Sequence, residues 1–72
     1  MQRQHVESKA LRSVGYDAQC RVLEIEFTSG EVYRYRRVPA RVHAGLMAAD
    51  SHGHYFATQV RDLFESEHVQ IR

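Results

Sequence analysis

Two neighbouring segments of this 72-residue chain alternate polar and apolar side chains on either side of a Ser29-Gly30 pair. Between residues 23 and 27 three apolar side chains alternate with two glutamates, and between residues 32 and 37 aromatic residues alternate with arginines. A period of two is typical of strands with one buried face, and Gly30 can adopt the positive φ that a tight turn requires. The pattern therefore predicts an antiparallel hairpin.

The length of the turn sets the register of this hairpin. If Thr28-Ser29-Gly30 forms a three-residue loop, one face becomes apolar and aromatic, and the other carries charges in pairs. A slip by one residue would place arginines beside buried Ile25 and Leu23, at a large cost in buried charge. The expected cross-strand pairs are Leu23 with Tyr35, Glu24 with Arg34, and Ile25 with Tyr33.

The remaining segments predict one more strand and two helices. Residues 13–16 form a short apolar run that ends at a turn over residues 17–19, which completes a three-stranded meander. After Pro39, which suits a first helical turn, the apolar period changes to about 3.6, and Ser51 is a good N-cap for a second helix. The expected buried positions are Val42, Leu46 and Ala49 in the first helix and Phe56, Val60, Leu63 and Phe64 in the second.

We therefore predict a single α+β domain over residues 1–72, with its core at about residues 6–64. Three antiparallel strands come first, and two helices pack on one face of them. The polar ends, residues 1–5 and 65–72, are expected to be mobile, although Val69 and Ile71 alternate and could add a fourth strand. A strongly bent small barrel of the Sm-like or SH3-like type is the alternative, because a short meander can curl.

Composition narrows the class of protein. The formal net charge is only +1, which is not typical of a dedicated nucleic-acid-binding protein. We find no signal peptide and no apolar stretch of about 20 residues that could span a bilayer, so no membrane partner is expected. The lone Cys20 excludes an internal disulfide and fits a reducing compartment, which predicts a cytoplasmic protein.

Arginines and tyrosines cluster on and just after the predicted central strand. Tyrosine rings stack on bases and arginine forks bind phosphate, so these residues indicate an RNA-binding surface. The alternative, favoured by the register for the rings, is that Tyr33 and Tyr35 face the core and that Glu24 and Glu26 balance the charge. The candidate nucleic-acid-binding residues are Arg34, Arg36, Arg37, Arg41, Tyr33 and Tyr35.

A second candidate site lies at the predicted start of the second helix. Free amides at a helix N-terminus can hold an anion, which gives Ser51, Gly53 and His54 as candidate residues, whereas a plain N-cap is the alternative. His52 and His54 lack a fixed third ligand, so no metal is predicted. No nucleophile with a positioned base is visible, and Cys20 is expected to be an inert, at least half-buried thiol. We therefore predict no enzyme activity, no catalytic residue and no cofactor.

An ordered set of motifs runs through residues 6–64. It comprises Ser13-Val14-Gly15-Tyr16-Asp17, Leu23-Glu24-Ile25-Glu26-Phe27, Ser29-Gly30, Val32-Tyr33-Arg34-Tyr35, Val38-Pro39, Leu46, Ala49, Ser51, Gly53, Tyr55-Phe56 and Val60-Arg61. This set resembles the KTSC domain, which occurs at the C-terminus of certain lysyl-tRNA synthetases and as free-standing small bacterial proteins. Family members tend to carry paired serines near the start, where this chain has Ser8-Lys9.

The resemblance implies a free-standing bacterial member of a family whose function is not established and for which RNA binding has been suggested. We therefore expect an accessory module that binds RNA or tRNA through its arginine-rich strand. A protein-interaction or self-associating module without nucleic acid is the alternative.

Overall fold

The computed structural model describes residues 2–69 and has an α+β fold, in agreement with the prediction. One antiparallel sheet of five strands has its strands in chain order, and two helices lie between the fourth and fifth strands along the chain. The elements are β1 Arg3–His5, β2 Leu11–Asp17, β3 Val22–Phe27, β4 Val32–Tyr35, α1 Ala40–Ala48, α2 His52–Gln59 and β5 Ser66–Val69.

The predicted hairpin register is confirmed at every expected pair. Leu23 lies opposite Tyr35, Glu24 opposite Arg34, and Ile25 opposite Tyr33. The loop has three residues, because the Phe27 N–H donates to the Glu31 carbonyl at 2.8 Å and Gly30 adopts a φ of +96°. A positive φ at this position is readily adopted by glycine, as the sequence pattern required.

Both helices pack on the apolar face of the sheet, as predicted. Leu46 of α1 and Phe56 of α2 join strand residues such as Leu23 and Ile25 in one core cluster. Burying these side chains is the main stabilising contribution available to a chain of this size. The fully buried side chains are Leu11, Val14, Leu23, Ile25, Val32, Val38, Leu46 and Val60.

The second helix begins as predicted but ends early. Ser51 is its N-cap, and the Ser51 hydroxyl accepts a hydrogen bond from the His54 N–H at 3.1 Å. The helix ends at Gln59, and a turn follows in which the Leu63 N–H donates to the Val60 carbonyl. That turn rotates Leu63 out of the helical stripe, so its side chain is 63% exposed and the prediction of burial is wrong.

The two ends of the described chain form strands that the sequence only partly indicated. Residues Arg3–His5 form β1 against β2, with Arg3 opposite Gly15, so the expectation of a mobile N-terminal segment is wrong there. Residues Ser66–Val69 form β5 against β4, which confirms a strand in the tail, whereas Ile71 lies outside the described residues.

The sheet is open and not a closed barrel. β1 and β5 occupy its two edges, and no pairing joins them within residues 2–69. The barrel alternative is therefore wrong, because the helices cover the apolar face that a barrel would enclose. Among these residues no helix is long and apolar enough to cross a membrane.

Candidate functional site

On the sheet face away from the helices, one row of cross-strand partners runs over all five strands, and four of these strands contribute a charge. Arg3, Glu24, Arg34 and Glu67 share this row through the cross-strand register, with Gly15 between the first two. The Glu24 carboxylate accepts a hydrogen bond from Arg34 Nε at 2.8 Å and lies 3.4 Å from Arg3 Nη1. Hydrogen bonding to Glu24 and the charge of that carboxylate raise the pKa of Arg34. Arg34 is therefore already engaged within the sheet.

The other three predicted arginines lie beyond the end of β4, not within it. The strand ends at Tyr35, since Arg37 adopts a left-handed φ of 59°. Arg36 and Arg37 are exposed in the segment that follows, and Arg41 is exposed in the first turn of α1. The predicted strand of residues 32–37 is thus two residues too long.

A fourth arginine joins these three through a backbone contact. The Val38 N–H donates to the Arg21 carbonyl at 2.8 Å, which brings the β2–β3 turn beside the segment after β4. Arg21 is exposed and also left-handed, with a φ of 56°. We call these four residues the arginine end: Arg21, Arg36, Arg37 and Arg41.

Within the described residues, the arginine end differs from the other arginines because no carboxylate oxygen lies within 4.0 Å of its guanidinium groups. Within residues 2–69, the arginines that have a carboxylate oxygen within 4.0 Å are Arg3, Arg12, Arg34 and Arg61. The guanidinium groups of the arginine end face solvent instead. Exposed guanidinium groups without a carboxylate partner can bind phosphate or carboxylate through a planar fork of N–H donors.

The two predicted tyrosines lie on the opposite face of β4, in a groove beside α2. Tyr35 and Phe56 are only 4% and 6% exposed and form its floor, while half-buried Tyr33 and Phe27 form its side. The ring centroids of neighbouring pairs are 5.3 to 5.8 Å apart in edge-to-face contacts. We call this feature, with a volume of about 570 Å³, the aromatic groove; Ala57, Arg61 and Ser66 also line it.

The Tyr35 hydroxyl is a polar group in this otherwise apolar floor. Burial is the main cause that raises the pKa of Tyr35, so the hydroxyl stays protonated at neutral pH. In the described part of the chain, no side-chain oxygen or nitrogen is both fully buried and without a partner. Tyr35 lines the groove, and a phenolic hydroxyl can both donate and accept a hydrogen bond.

The candidate anion site lies at the N-terminus of α2. Ser51, Gly53 and His54 do lie together, but the Ser51 hydroxyl already occupies the His54 N–H. The adjoining surface depression, of about 310 Å³, is lined by Glu7 and Asp50 as well as by Lys9. Its anion-binding role stays a prediction, and two carboxylates beside the helix start weaken the field that would favour an anion.

Cys20 and His52 are two further residues for which the sequence made a prediction. Cys20 is exposed, so the expectation of an at least half-buried thiol is wrong. It lies in a turn where Asp17 Oδ1 accepts hydrogen bonds from the N–H groups of Gln19 and Cys20. His52 Nδ1 lies 2.8 Å from the Leu46 carbonyl, and residues 2–69 contain no cluster of three His, Cys, Asp or Glu that could hold a metal.

Sequence reasoning missed Arg21 and the groove because both depend on contacts between distant segments. Arg21 follows a predicted turn, and its basic charge was the only available signal. Phe27, Phe56 and Arg61 come from β3, α2 and the turn after α2, and no local pattern joins them.

Comparison with known proteins identifies what the chain is similar to. Residues 7–64 match the profile of the KTSC domain. The crystal structure of a KTSC domain protein from Yersinia pestis superposes with a TM-score of 0.94 at 38% identity, covering 96% of this chain and 97% of that one. An uncharacterized protein of Stutzerimonas stutzeri is 43% identical over 70 residues, which is 97% of this chain and 93% of that protein.

A third relative is much longer than this chain. The lysine–tRNA ligase of Nostoc punctiforme is 33% identical over 63 residues, which is 88% of this chain but 11% of the ligase. The match thus covers a small part of a large enzyme.

Proposed function

The chain belongs to the KTSC domain family, and we propose that it is an accessory module that binds single-stranded RNA through the phosphates, with the arginine end as the contact surface. The observation that carries this proposal is the group of four exposed guanidinium groups without a carboxylate within 4.0 Å among residues 2–69. Elsewhere in the described residues, arginines pair with carboxylates and their charges cancel locally. The net charge of +1 therefore understates the positive field at the arginine end.

The choice of RNA among polyanions is supported by the relatives. Lysine–tRNA ligases of Nostoc punctiforme and Trichormus variabilis carry a segment similar to this chain, and the name of that enzyme includes a tRNA. Arginine is also suited to the task, because its planar fork binds two phosphate oxygens at once. Arg21 and Arg37 are both exposed residues with a left-handed backbone, in the segments that follow β2 and β4.

Salt dependence provides the quantitative expectation. If three or four phosphates are neutralised, the logarithm of the binding constant should fall with the logarithm of salt concentration at a slope of about −2 to −3 for a single strand. Binding that does not respond to salt would contradict the proposal, because each released counterion contributes to this slope.

The test uses charge reversal at the arginine end and a matched reversal elsewhere. Arg36→Glu with Arg37→Glu should abolish measurable binding of a fluorescent single-stranded RNA in an anisotropy titration. The control, Lys9→Glu with Arg12→Glu, changes the charge equally at the opposite end of β2 and should retain most of the affinity. Equal losses in the two variants would show that the protein's overall charge, and not the arginine end, attracts RNA.

The alternative of a protein-interaction or self-associating module has less support. β1 is an edge strand that another strand could extend, but it has only three residues, and two of them are Arg3 and His5. Short edges with charged side chains are features that oppose strand pairing between molecules. Sedimentation at several concentrations tests this alternative, which requires a mass that rises with concentration.

A further inference from the structure

We infer that the aromatic groove holds one unstacked nucleobase of the RNA strand whose phosphates contact the arginine end. This inference rests on the proposed function and names the second contact of the same ligand. A volume of about 570 Å³ lies in the range of pockets that hold small organic groups, about 300 to 1,000 Å³.

The floor and side of the groove suit the face of a flat ring. Tyr35 and Phe56 are held in place by mutual edge-to-face packing, with ring centroids 5.5 Å apart and an interplanar angle of 77°. His68 stacks on the Tyr33 ring, with the ring centroids 4.9 Å apart, which restricts the orientation of the Tyr33 ring. Rigid aromatic side chains bind a base with little loss of conformational freedom, and every base has a π-face to stack on them.

Polar groups at the groove select a base over a purely apolar group. The Tyr35 hydroxyl and Ser66 can donate to and accept from the edge of a base. Arg61 lies at the rim with a side chain 59% exposed, and its carboxylate partner, Asp62, is 3.6 Å away and 80% exposed. Such an exposed pair contributes little, so the Arg61 guanidinium is free to turn to a phosphate.

The path of β4 connects the groove to the arginine end. Tyr33 and Tyr35 line the groove, and Arg36 and Arg37 follow them directly in the chain. At about 3.3 Å per residue, the backbones of Tyr35 and Arg37 lie within about 7 Å of each other. A strand of RNA that passes over the end of β4 at Tyr35 can therefore contact both the groove and the arginines that follow.

The first experiment fills the groove without changing any charge. Ala57 is a half-buried residue of α2 that lines the groove, and Ala57→Leu should occupy the space of the base. We expect single-stranded RNA to bind about tenfold more weakly to this variant, with an unchanged salt slope, because one stacked base is lost and the phosphate contacts remain. The control, Ala48→Leu, makes the same change at an exposed position at the end of α1 and should bind as the unmodified protein does.

A second variant and a modified ligand keep the inference testable if Ala57→Leu does not fold. Arg61→Ala changes an exposed side chain at the rim and should weaken binding about threefold. An oligonucleotide of the same length that lacks its bases should bind about tenfold more weakly than the intact strand. If the abasic strand binds as tightly as the intact one, the groove inference is overturned while the phosphate contact stands.

Titration with a nucleoside, which carries a base but no phosphate, separates the two proposals. In a ¹H–¹⁵N spectrum, the nucleoside should shift the amide signals of Tyr33, Tyr35 and Ala57 and leave those of Arg21 and Arg41 unchanged. If RNA fails to bind and these shifts occur, the proposed function falls and the groove remains a nucleobase site. If neither ligand changes the spectrum, both proposals are overturned.

Discussion

Glu24 lies directly opposite Arg34 across β3 and β4, and its Oε2 accepts a hydrogen bond from Arg34 Nε at 2.8 Å while the glutamate is only 7% exposed. This pair ties the centre of the charged face to one register, because a slip by one residue would separate the two charges and bury the guanidinium among apolar side chains. It also leaves Arg34 paired within the sheet, so the proposed phosphate contact is assigned to the arginine end.

Replacing Glu24 by glutamine should destabilise the fold. The change removes the charge that both Arg34 and Arg3 approach, and we expect a loss of about 1 kcal/mol, a low value for a charged hydrogen bond because Arg34 is nearly half exposed. Urea denaturation followed by circular dichroism measures it. Glu67→Gln is the matched control, since Glu67 lies opposite Arg34 on β5 but is exposed, and it should change stability by less than about 0.5 kcal/mol.

Gly45→Ala should destabilise the protein although alanine is the better helix former. A Cβ at this position would lie 2.7 Å from Cζ of Tyr55, so the Tyr55 ring or the two helices would have to move. Overpacking of this kind costs about 1 to 3 kcal/mol, which exceeds the gain in helix propensity of about 1 kcal/mol. Gly53→Ala is the control, because its Cβ would meet Ala10 at an ordinary 3.5 Å; thermal melts should move in opposite directions for the two variants.

His43 should make the stability depend on pH. Its ring stacks on Tyr16 at 4.7 Å, and burial lowers its pKa below the ordinary value of 6.5. The unfolded chain therefore binds a proton at His43 more readily than the folded chain does. The contribution of His43 to the free energy of unfolding should be fully present above about pH 6.5 and should be lost as the pH drops below it. Urea titrations at about pH 7.5 and about pH 5.5 should show a smaller loss in His43→Phe, which keeps a stacked ring without a titrating group. Identical losses in both proteins would assign the pH dependence to other groups.

Arg37→Gly should separate stability from RNA binding. The φ of 59° at Arg37 is unfavourable for a residue with a Cβ and readily adopted by glycine, so we expect a gain of up to about 1 kcal/mol. The same change removes one phosphate contact, which should reduce the salt slope of RNA binding by about 0.7. Thermal melts and anisotropy titrations measure the two effects, and an unchanged salt slope would remove Arg37 from the contact surface.

The hairpin register could be predicted because local and non-local requirements agree there. The alternation of β3, the glycine of the turn and the Glu24–Arg34 pair all select the same alignment. The N-cap of α2 could be predicted for a similar reason, because Ser51 satisfies the His54 N–H within four residues of the chain. Such features need no knowledge of distant contacts.

Other elements were not predictable because their causes lie elsewhere in the chain. Arg3-Gln4-His5 has no apolar alternation, and β1 forms through backbone pairing with β2. The early end of β4 depends on Arg37, and Arg21 reaches the arginine end through a bond to Val38. Phe27, the turn after α2 and β5 meet only in the folded chain, so the aromatic groove had no signal in any one segment.

The insertion of both helices between β4 and β5 has a kinetic consequence. Strands β1 to β4 pair with neighbours that are close in sequence. The pairing of β5 with β4, in contrast, must close a loop of 30 residues between Tyr35 and Ser66. Loop closure is an entropic barrier, so the meander and helices should form before the tail docks. Ser66 and His68 belong to that tail, and the aromatic groove should therefore assemble last in folding and open first in local unfolding.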